Sequence, residues 1–198
     1  MKEEKIPSLT EKIRIFALGG LDEDGKNLFC VEVDESIYVI EAGIKFPDNK
    51  ESLGIEFIIQ DFTYLVENKD RVAGIFITHG HDDVMGALPY LLQEVNVPIY
   101  TTDLTADLID QLLQRYMRHS HVSYKYKIKR VNMNATIKVA GVEVDFFPIT
   151  HSIPGSVGLA FLTDYGYIVY SSEFIIDFGA PERFRCNIQK MMEIGKKG

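Results

Sequence analysis

The stretch FITHGHDDVMGALPYLL, residues 76–92, joins a strand directly to an amphipathic helix. The overlapping run at residues 72–78 is short and almost continuously apolar, which is typical of a strand buried on both faces. From Asp83 to Val95 the apolar residues recur at helical spacing, and Asp82 or Asp83 is a suitable N-cap. A buried strand followed at once by a helix indicates the α/β (α+β) class, with mixed β-sheets and helices packed outside them.

The remaining pattern adds strands and helices on both sides of this junction. Two alternating runs joined at residues 34–36 predict a hairpin over residues 28–43. A helix is predicted to begin after Thr102 or Asp103 and to run to about Arg118. The other predicted strands cover residues 13–19, 97–101, 124–131, 136–139, 142–150, 158–163 and 166–171, and shorter helices cover residues 62–67 and 188–194.

Length and composition are those of a single globular domain. A chain of 198 residues, 46% apolar and 25% charged, can bury a core without staples, so we interpret residues 1–198 as one domain. Cys30 and Cys186 form no CxxC motif, which suits a reducing cytoplasm. The N-terminal segment lacks a signal-peptide core, and no apolar run approaches the ~18 residues of a membrane span. We therefore expect a cytoplasmic protein that does not enter a membrane.

The net charge of −8 argues against a stand-alone nucleic-acid-binding domain, because such domains are normally basic. Residues 115–130 nevertheless contain six Lys or Arg residues, two His residues and no acid. On a strand, Lys125, Lys127 and Lys129 would lie on one face, as either a solvated edge protected from aggregation or a patch that faces phosphates. His119 and His121 follow a predicted helix and fit a dipole or solvent role rather than a metal site.

His79, His81 and Asp83 form a candidate metal-binding string at the end of the buried strand. Residues two apart on an extended segment project to the same side, so the two imidazoles and the carboxylate can face one ion. This ligand set suits zinc or manganese, and α/β folds place their sites at strand ends. The helix that follows strengthens the metal interpretation over a purely structural role.

Two further strand ends supply compatible side chains. His151 directly follows the predicted strand at residues 142–150, and Glu173 ends the strand in YIVYSSEF. A carboxylate at the end of a buried strand needs a partner, because burying it unpaired is costly. We therefore expect His79, His81, Asp83, His151 and Glu173 to converge on one metal site.

The sequence resembles the metallo-β-lactamase superfamily and, within it, the ribonuclease J family of the β-CASP group. The resemblance is carried by LGGLDEDGKN, EAGIKFP, GIFITHGHDDVMGALPYLL, THSIPGSVGLAF, YSSEF and MEIGKKG, in this order over nearly the whole chain. It implies an αββα sandwich, of which residues 1–198 are the N-terminal portion of the lactamase domain. The β-CASP insertion that clamps RNA and the C-terminal region are absent from this chain.

The family signature HxHxDH, a distant His and a bridging Asp hold two zinc ions, whose shared hydroxide attacks a phosphodiester. By this resemblance, His79, His81 and His151 match the imidazole ligands of the first metal. Asp83 matches a ligand of the second metal, and it is the catalytic candidate, expected to orient the attacking water. Glu173 matches the bridging Asp.

Several residues depart from the family pattern. Val84 stands where the signature has its final His, and an isopropyl group cannot ligate a metal. Glu173 is one methylene longer than the bridging Asp. Glu41 replaces a supporting Asp, Gly155 an acidic residue of the HSIP loop, and Ser172 a turn glycine. These departures predict a degraded second metal position.

The family pairs an active ribonuclease with a degenerate paralogue, and the sequence most resembles the degenerate one of Gram-positive bacteria. The resemblance implies a role in RNA processing and decay as a weak or inactive nuclease that partners the active paralogue, with RNA bound by the full-length protein. It implies zinc, or alternatively manganese, with at most one well-held ion. Candidate RNA contacts are Ser156, Lys125, Lys127 and Lys129.

Two other functions stay open from the sequence. One is an active metal-dependent exo- or endoribonuclease that uses metal-activated water, and the other is a small-molecule hydrolase of the same fold. An incomplete sandwich should also expose an apolar sheet edge or face, so we expect this chain to self-associate, with a homodimer as one outcome.

Overall fold

The computed structural model describes residues 11–47 and 54–197, and its strands form two sheets. The charged N-terminal segment used in the sequence prediction lies outside the described residues. The first sheet has six strands in chain order: β1 (Ile13–Gly19), β2 (Leu28–Val33), β3 (Ser36–Ile40), β4 (Val72–Phe76), β5 (Ile99–Thr101) and β6 (Ile128–Arg130). The second has four: β7 (Thr136–Val139), β8 (Val142–Pro148), β9 (Val157–Thr163) and β10 (Gly166–Tyr170), in the order β10-β9-β8-β7.

The first sheet is mixed and the second is antiparallel. Strands β3 to β6 pair in parallel, whereas β1, β2 and β3 pair antiparallel. The helices are α1 (Thr63–Glu67), α2 (Asp82–Met85), α3 (Leu88–Glu94), α4 (Asp103–Ser120) and α5 (Ile188–Gly195). Because parallel strands need crossover connections, α2 to α4 lie between the parallel strands in sequence.

The molecule has four layers, because helices pack on the outer face of each sheet. Along β3, Ile37 and Val39 face the core formed with helices α1 to α4, while Tyr38 and Ile40 face the second sheet. Helix α5 covers the outer face of the second sheet, where Ile194 packs with Phe147. Successive residues of β3 and β4 point to opposite faces of the sheet, and both faces are buried. The two strands therefore appear in the sequence as continuous apolar runs. The predicted mixed sheets with flanking helices are therefore present.

The single helix predicted over residues 83–95 is wrong, since it is broken into α2 and α3. The carbonyls of Asp83 and Val84 accept hydrogen bonds from the Asn27 and Ala42 N–H groups, at 3.1 and 2.7 Å. These two carbonyls are therefore not used for the hydrogen bonds of a continuous helix. A new helix, α3, begins after the break, with Pro89 in its first turn. The predicted N-cap is also wrong: His81 occupies that position, without a side-chain cap hydrogen bond.

The strand predicted over residues 124–131 is shorter than expected. Only Ile128–Arg130 pairs as β6, because its neighbour β5 offers three residues, Ile99–Thr101. The preceding segment still alternates: Lys125, Lys127 and Lys129 are exposed, while Tyr124, Tyr126 and Ile128 pack against the helical core.

Apolar side chains are exposed along two sheet edges. Ile15 on edge strand β1 is 62% exposed, and Val169 on edge strand β10 is 51% exposed. Ile175 and Phe178, which follow β10, are 62% and 78% exposed. The exposed apolar edge expected from the sequence is therefore present, while self-association stays a prediction. Among the described residues, no helix is long and apolar enough to cross a membrane.

Candidate metal centre

Three histidines from two separate segments meet at the carboxyl end of β4. His79 lies just after this strand, His81 is the N-cap of α2, and His151 follows β8. His81 Nδ1 lies 3.1 Å from His79 Nε2 and 3.2 Å from His151 Nε2. The candidate ligand atoms of all three lie within 4.8 Å of one another. A backbone hydrogen bond from Val157 to the Thr78 carbonyl, 3.1 Å, joins the two sheets beside this point.

The geometry of these nitrogens fits a metal ion. Two nitrogens that each lie ~2.0–2.1 Å from one tetrahedral zinc are ~3.3 Å apart. The observed separations of 3.1 and 3.2 Å match this spacing. Facing ring nitrogens at this distance need either a shared proton or a shared cation, and three of them around one point favour the cation. Which metal would bind is left open by this geometry.

The electrostatics favour the neutral, metal-ligating form of His79 and His151. His79 is fully buried, and its pKa is lowered to about 3, mainly by burial and also by the neighbouring His151 and His81. Burial also lowers the pKa of His151, as does His81, while the negative charges of Glu173 and Asp83 oppose this shift. Neutral imidazoles near neutral pH are the ligand state that metal binding requires.

A buried polar network holds His79 from behind. The Thr78 hydroxyl lies 2.9 Å from His79 Nδ1, and the Ser172 hydroxyl lies 3.5 Å from the same nitrogen. Thr78 Oγ also donates to Glu41 Oε1 at 2.5 Å, and the Thr78 N–H donates to Glu41 Oε2 at 3.3 Å. The pKa of the fully buried Glu41 is raised to about 8, mainly by burial and also by the charges of Asp83 and Glu173, against the lowering effect of both Thr78 hydrogen bonds. This network directs His79 Nε2 towards the other two histidines.

Asp83 is held in place by the hairpin of β2 and β3, which Asn27 precedes and Gly43 follows. Its Oδ2 accepts a hydrogen bond from Asn27 Nδ2 at 3.1 Å. Its carbonyl oxygen crowds Gly43, where an added Cβ would lie 1.5 Å from that oxygen. Gly43 is therefore required for the hairpin to approach the start of α2. The other oxygen of the Asp83 carboxylate has no hydrogen-bond partner among the described residues, and the Asp83 charge acts electrostatically on His151 and Glu41.

Asp83 and Glu173 lie near the histidine cluster but are not members of it. Within the described residues, the group that could share one ion consists of His79, His81 and His151. Glu173 is exposed, so the expectation that it is a buried carboxylate in need of a partner is wrong. Its charge still acts on His151, Glu41 and Tyr170, which places it beside the centre. A metal role for Asp83 and Glu173 stays a prediction.

Val84 directly follows Asp83 and shares a cavity with Glu173. It is 2% exposed and lines a cavity of ≈ 300 Å³ with Asn27, Ser172 and Glu173. A branched aliphatic side chain thus forms part of this cavity wall, and it offers no electron pair to a cation.

The candidate RNA contacts differ in their accessibility. Lys125, Lys127 and Lys129 are exposed on one side of the molecule, so their side chains are free to meet phosphates. Ser156 is 2% exposed, and its hydroxyl donates to the Ile153 carbonyl at 2.7 Å. A direct contact between the Ser156 side chain and RNA would therefore require the turn at residues 152–156 to open.

Two polar residues of the centre were missed from the sequence. Thr78 orders His79 and Glu41, and Ser152 Oγ lies 3.3 Å from His81 Nε2. Each is adjacent in sequence to a candidate ligand, Thr78 to His79 and Ser152 to His151. A hydroxyl beside a ligating imidazole is a signal for an outer-sphere partner, because ligating histidines usually hydrogen-bond through their second nitrogen.

A four-layer fold with a histidine centre at the strand ends defines the class of this protein. A family model described as a beta-lactamase superfamily domain matches residues 47–174. The chain belongs to this superfamily, and the predicted fold class is confirmed.

Curated relatives narrow the comparison to one group of that superfamily. Ribonuclease J 2 of Staphylococcus saprophyticus is 40% identical over 193 residues, which cover 98% of this chain and 34% of that protein. Ribonuclease J 2 of Staphylococcus aureus is 39% identical over the same length, again 34% of its own chain. The chain thus spans about a third of the length of the curated relatives it matches, and its predicted resemblance to ribonuclease J is confirmed.

A solved structure supports the fold alone. The crystal structure of a protein of unknown function from Enterococcus faecalis V583 superposes with a TM-score of 0.61 at 16% identity, covering 83% of this chain and 44% of that one.

Proposed function

We propose that this chain is the metal-binding part of a ribonuclease J-type hydrolase whose second metal position is degraded, so that it is a weak or inactive nuclease. The observation that carries the proposal is the combination of three converging histidine nitrogens with the buried Val84 beside them. The three histidines provide one set of imidazole ligands for an ion. Val84 cannot ligate the second ion that the proposal considers.

The residues of this chain have defined parts in such a site. His79, His81 and His151 would hold the ion, and Thr78 would fix the orientation of the His79 ring. A bound zinc or manganese ion would polarise a phosphodiester and lower the pKa of a bound water. Asp83, fixed by Asn27, would accept a hydrogen bond from that water and orient it.

The proposed degradation follows from charge and geometry on the second side of the centre. Asp83 and Glu173 are carboxylates that could bind a second cation, but Val84 gives that cation no third protein ligand. Two carboxylates without an imidazole or a further ligand form a weak site for zinc, which prefers four-coordinate closed sets. We therefore expect one well-held ion at most.

RNA is the proposed substrate or ligand because the matched relatives are named ribonucleases. The exposed Lys125, Lys127 and Lys129 are the proposed phosphate contacts in this chain, with Ser156 as a further candidate if its turn opens. The proposal includes assembly with a catalytically active ribonuclease J in the cytoplasm. A tagged full-length protein should retain that active protein when both are co-expressed, and separation of the two would contradict this part.

Gain of function tests the proposal. In the full-length protein, Val84→His with Glu173→Asp should raise hydrolysis of end-labelled single-stranded RNA by at least about 10-fold, because a second metal site supplies charge stabilisation that one ion lacks. Asp83→Asn in the same background should remove the gain. Val144→His, another buried valine but in the second sheet, controls for the introduction of an imidazole. Wild-type activity that already equals the restored variant would favour the alternative, an active nuclease.

A further inference from the structure

A groove beside the histidine centre combines aromatic side chains with unpaired cationic ones. It has a volume of ≈ 400 Å³ and lies between α3, α4 and the segment after β3. Its lining includes Phe57, Tyr90, Tyr116 and Arg115, with the 60% exposed Phe46 at its edge. We propose that this groove is a subsite that stacks an unpaired nucleobase of RNA, a proposal that rests on the proposed function and adds a binding site to it.

The aromatic side chains form a continuous series along the groove. The ring centroids of Phe57 and Tyr90 are 5.6 Å apart, and those of Tyr90 and Tyr116 are 5.0 Å apart at an interplanar angle of 72°. The Tyr116 hydroxyl accepts a hydrogen bond from Gln93 Nε2 at 3.1 Å, which fixes the ring. Single-stranded RNA is recognised by stacking unpaired bases on aromatic rings and guanidinium planes, so these side chains suit a base rather than a duplex.

The positive charges of the groove are available to phosphates. Arg115 lines this groove and a neighbouring one of ≈ 300 Å³, which Arg118 also lines. In the described part of the chain, neither arginine has an ion-pair partner, whereas Arg130 is paired with Asp107 at 2.6 Å. In a chain of net charge −8, two arginines without ion-pair partners beside half-buried aromatic rings and the exposed Phe46 indicate an anionic ligand with flat apolar groups. Single-stranded RNA has that composition.

The groove reaches the first residue of α2, which is next in sequence to the candidate metal centre. Asp82 lines both grooves and directly follows His81, one of the three clustered histidines. On its other side, the Pro89 carbonyl in the groove wall accepts a hydrogen bond from Tyr124 at 3.1 Å, and Tyr124 is the neighbour of Lys125. A strand of RNA lying in the groove would therefore run between the histidine centre and the exposed lysines.

Binding of single-stranded RNA to the full-length protein tests the subsite. RNA binding is measured in a His79→Ala, His151→Ala double variant, so that the RNA is not hydrolysed during the titration. Tyr116→Leu should weaken binding about 5-fold or more, because a stacked base contributes ~1–3 kcal/mol. Arg115→Gln should weaken binding and reduce the slope of log affinity against log salt by about 1. Lys138→Gln and Tyr165→Leu, exposed residues of the second sheet, are matched controls with unchanged affinity.

Base stacking has a signature that general charge attraction lacks. An oligonucleotide with an abasic site at the stacked position should bind the parent protein more weakly, and Tyr116→Leu should remove that difference. Tyr116→Phe, which keeps the ring, should bind like the parent protein, and an RNA duplex should be insensitive to both substitutions. Equal binding by Tyr116→Leu and the parent protein at all positions would overturn the proposal. A loss of self-association in Tyr116→Leu with unchanged RNA affinity would likewise overturn it, in favour of a protein contact.

The two proposals fail in different ways. If the groove assignment is wrong, Val84→His with Glu173→Asp still gains hydrolysis while the groove variants bind RNA like the parent protein. If the metal-site assignment is wrong, no hydrolysis is gained, yet Tyr116→Leu and Arg115→Gln still lose RNA affinity.

Discussion

His151 Nε2 lies 3.2 Å from His81 Nδ1, although 70 residues separate them in sequence. The contact joins the segment after β8 of the second sheet to the N-cap of α2 beside the first sheet. The relative placement of the two sheets thus determines whether three imidazoles can share one ion. Metal binding should therefore stabilise the fold across the interface between the sheets.

Removing one imidazole should abolish tight metal binding. We expect His151→Ala to lower zinc affinity by more than the ~10–100-fold that is typical for loss of an outer-sphere partner. It should also remove the rise in thermal unfolding temperature that added zinc produces in the parent protein. Titration calorimetry measures the affinity, with His121→Ala, an exposed histidine at the end of α4, as the control. Equal loss in both variants would show that the binding is not specific to the cluster.

The Thr78 hydroxyl should be needed for the orientation of His79. Thr78→Val preserves shape but leaves Glu41 without its hydroxyl donor and His79 Nδ1 without its 2.9 Å partner. We expect zinc affinity to fall ~10–100-fold and stability to fall by ~1–3 kcal/mol. Thr105→Val, at another fully buried threonine, should leave zinc affinity unchanged. Affinity that is equal in Thr78→Val and the parent protein would exclude a positioning role for this hydroxyl.

Glu41 should make the metal-free protein less stable as pH rises. Because its pKa is raised in the fold from 4.5 to about 8, folding is favoured by its protonation. That contribution is fully present below the unfolded pKa and is lost as pH rises through the folded one, with a size on the order of a few kcal/mol. Glu41→Gln mimics the protonated acid, so the variant should gain stability relative to the parent protein as pH rises from 5 to 8. Denaturant unfolding at both pH values measures this, and a constant difference would contradict it.

The approach of the hairpin to α2 should tolerate no side chain at Gly43. Gly43→Ala would place a methyl group 1.5 Å from the Asp83 carbonyl oxygen, so the backbone must move and the Asn27 contacts with Asp83 must break. We expect a loss of ~3 kcal/mol or more in unfolding free energy. Gly195→Ala, where nothing lies within 4 Å of the added Cβ, should change stability by no more than ~1 kcal/mol. Equal denaturation midpoints for the two variants would contradict this reading of Gly43.

The sequence predicts the layers and the histidine centre well because both depend on local pattern. Period-two alternation and short apolar runs indicated β3 and β4, and parallel strands bring their carboxyl ends to one edge. His79 and His81 follow one such end directly. His151 follows a strand of the second sheet, and its inclusion rested on the family resemblance as well as on its position.

The features that the sequence did not predict depend on contacts between distant residues. The break between α2 and α3 arises because Asn27 and Ala42 bind the Asp83 and Val84 carbonyls, and helical spacing contains no sign of this competition. The burial of Ser156 follows from a turn hydrogen bond to Ile153. Likewise, the exposure of Glu173 depends on the path of the chain after β10, which the apolar residues that follow it, such as Ile175, do not reveal because they are exposed as well.

Metal content is the most direct test of the central claim, that three histidines hold one ion and Val84 prevents a second. Full-length protein purified with zinc or manganese and dialysed should contain at most one tightly held ion per protomer by mass spectrometry of the metal. Val84→His with Glu173→Asp should raise the value to two. Two tightly held ions in the unaltered protein, or none that depends on His79, His81 and His151, would contradict the account.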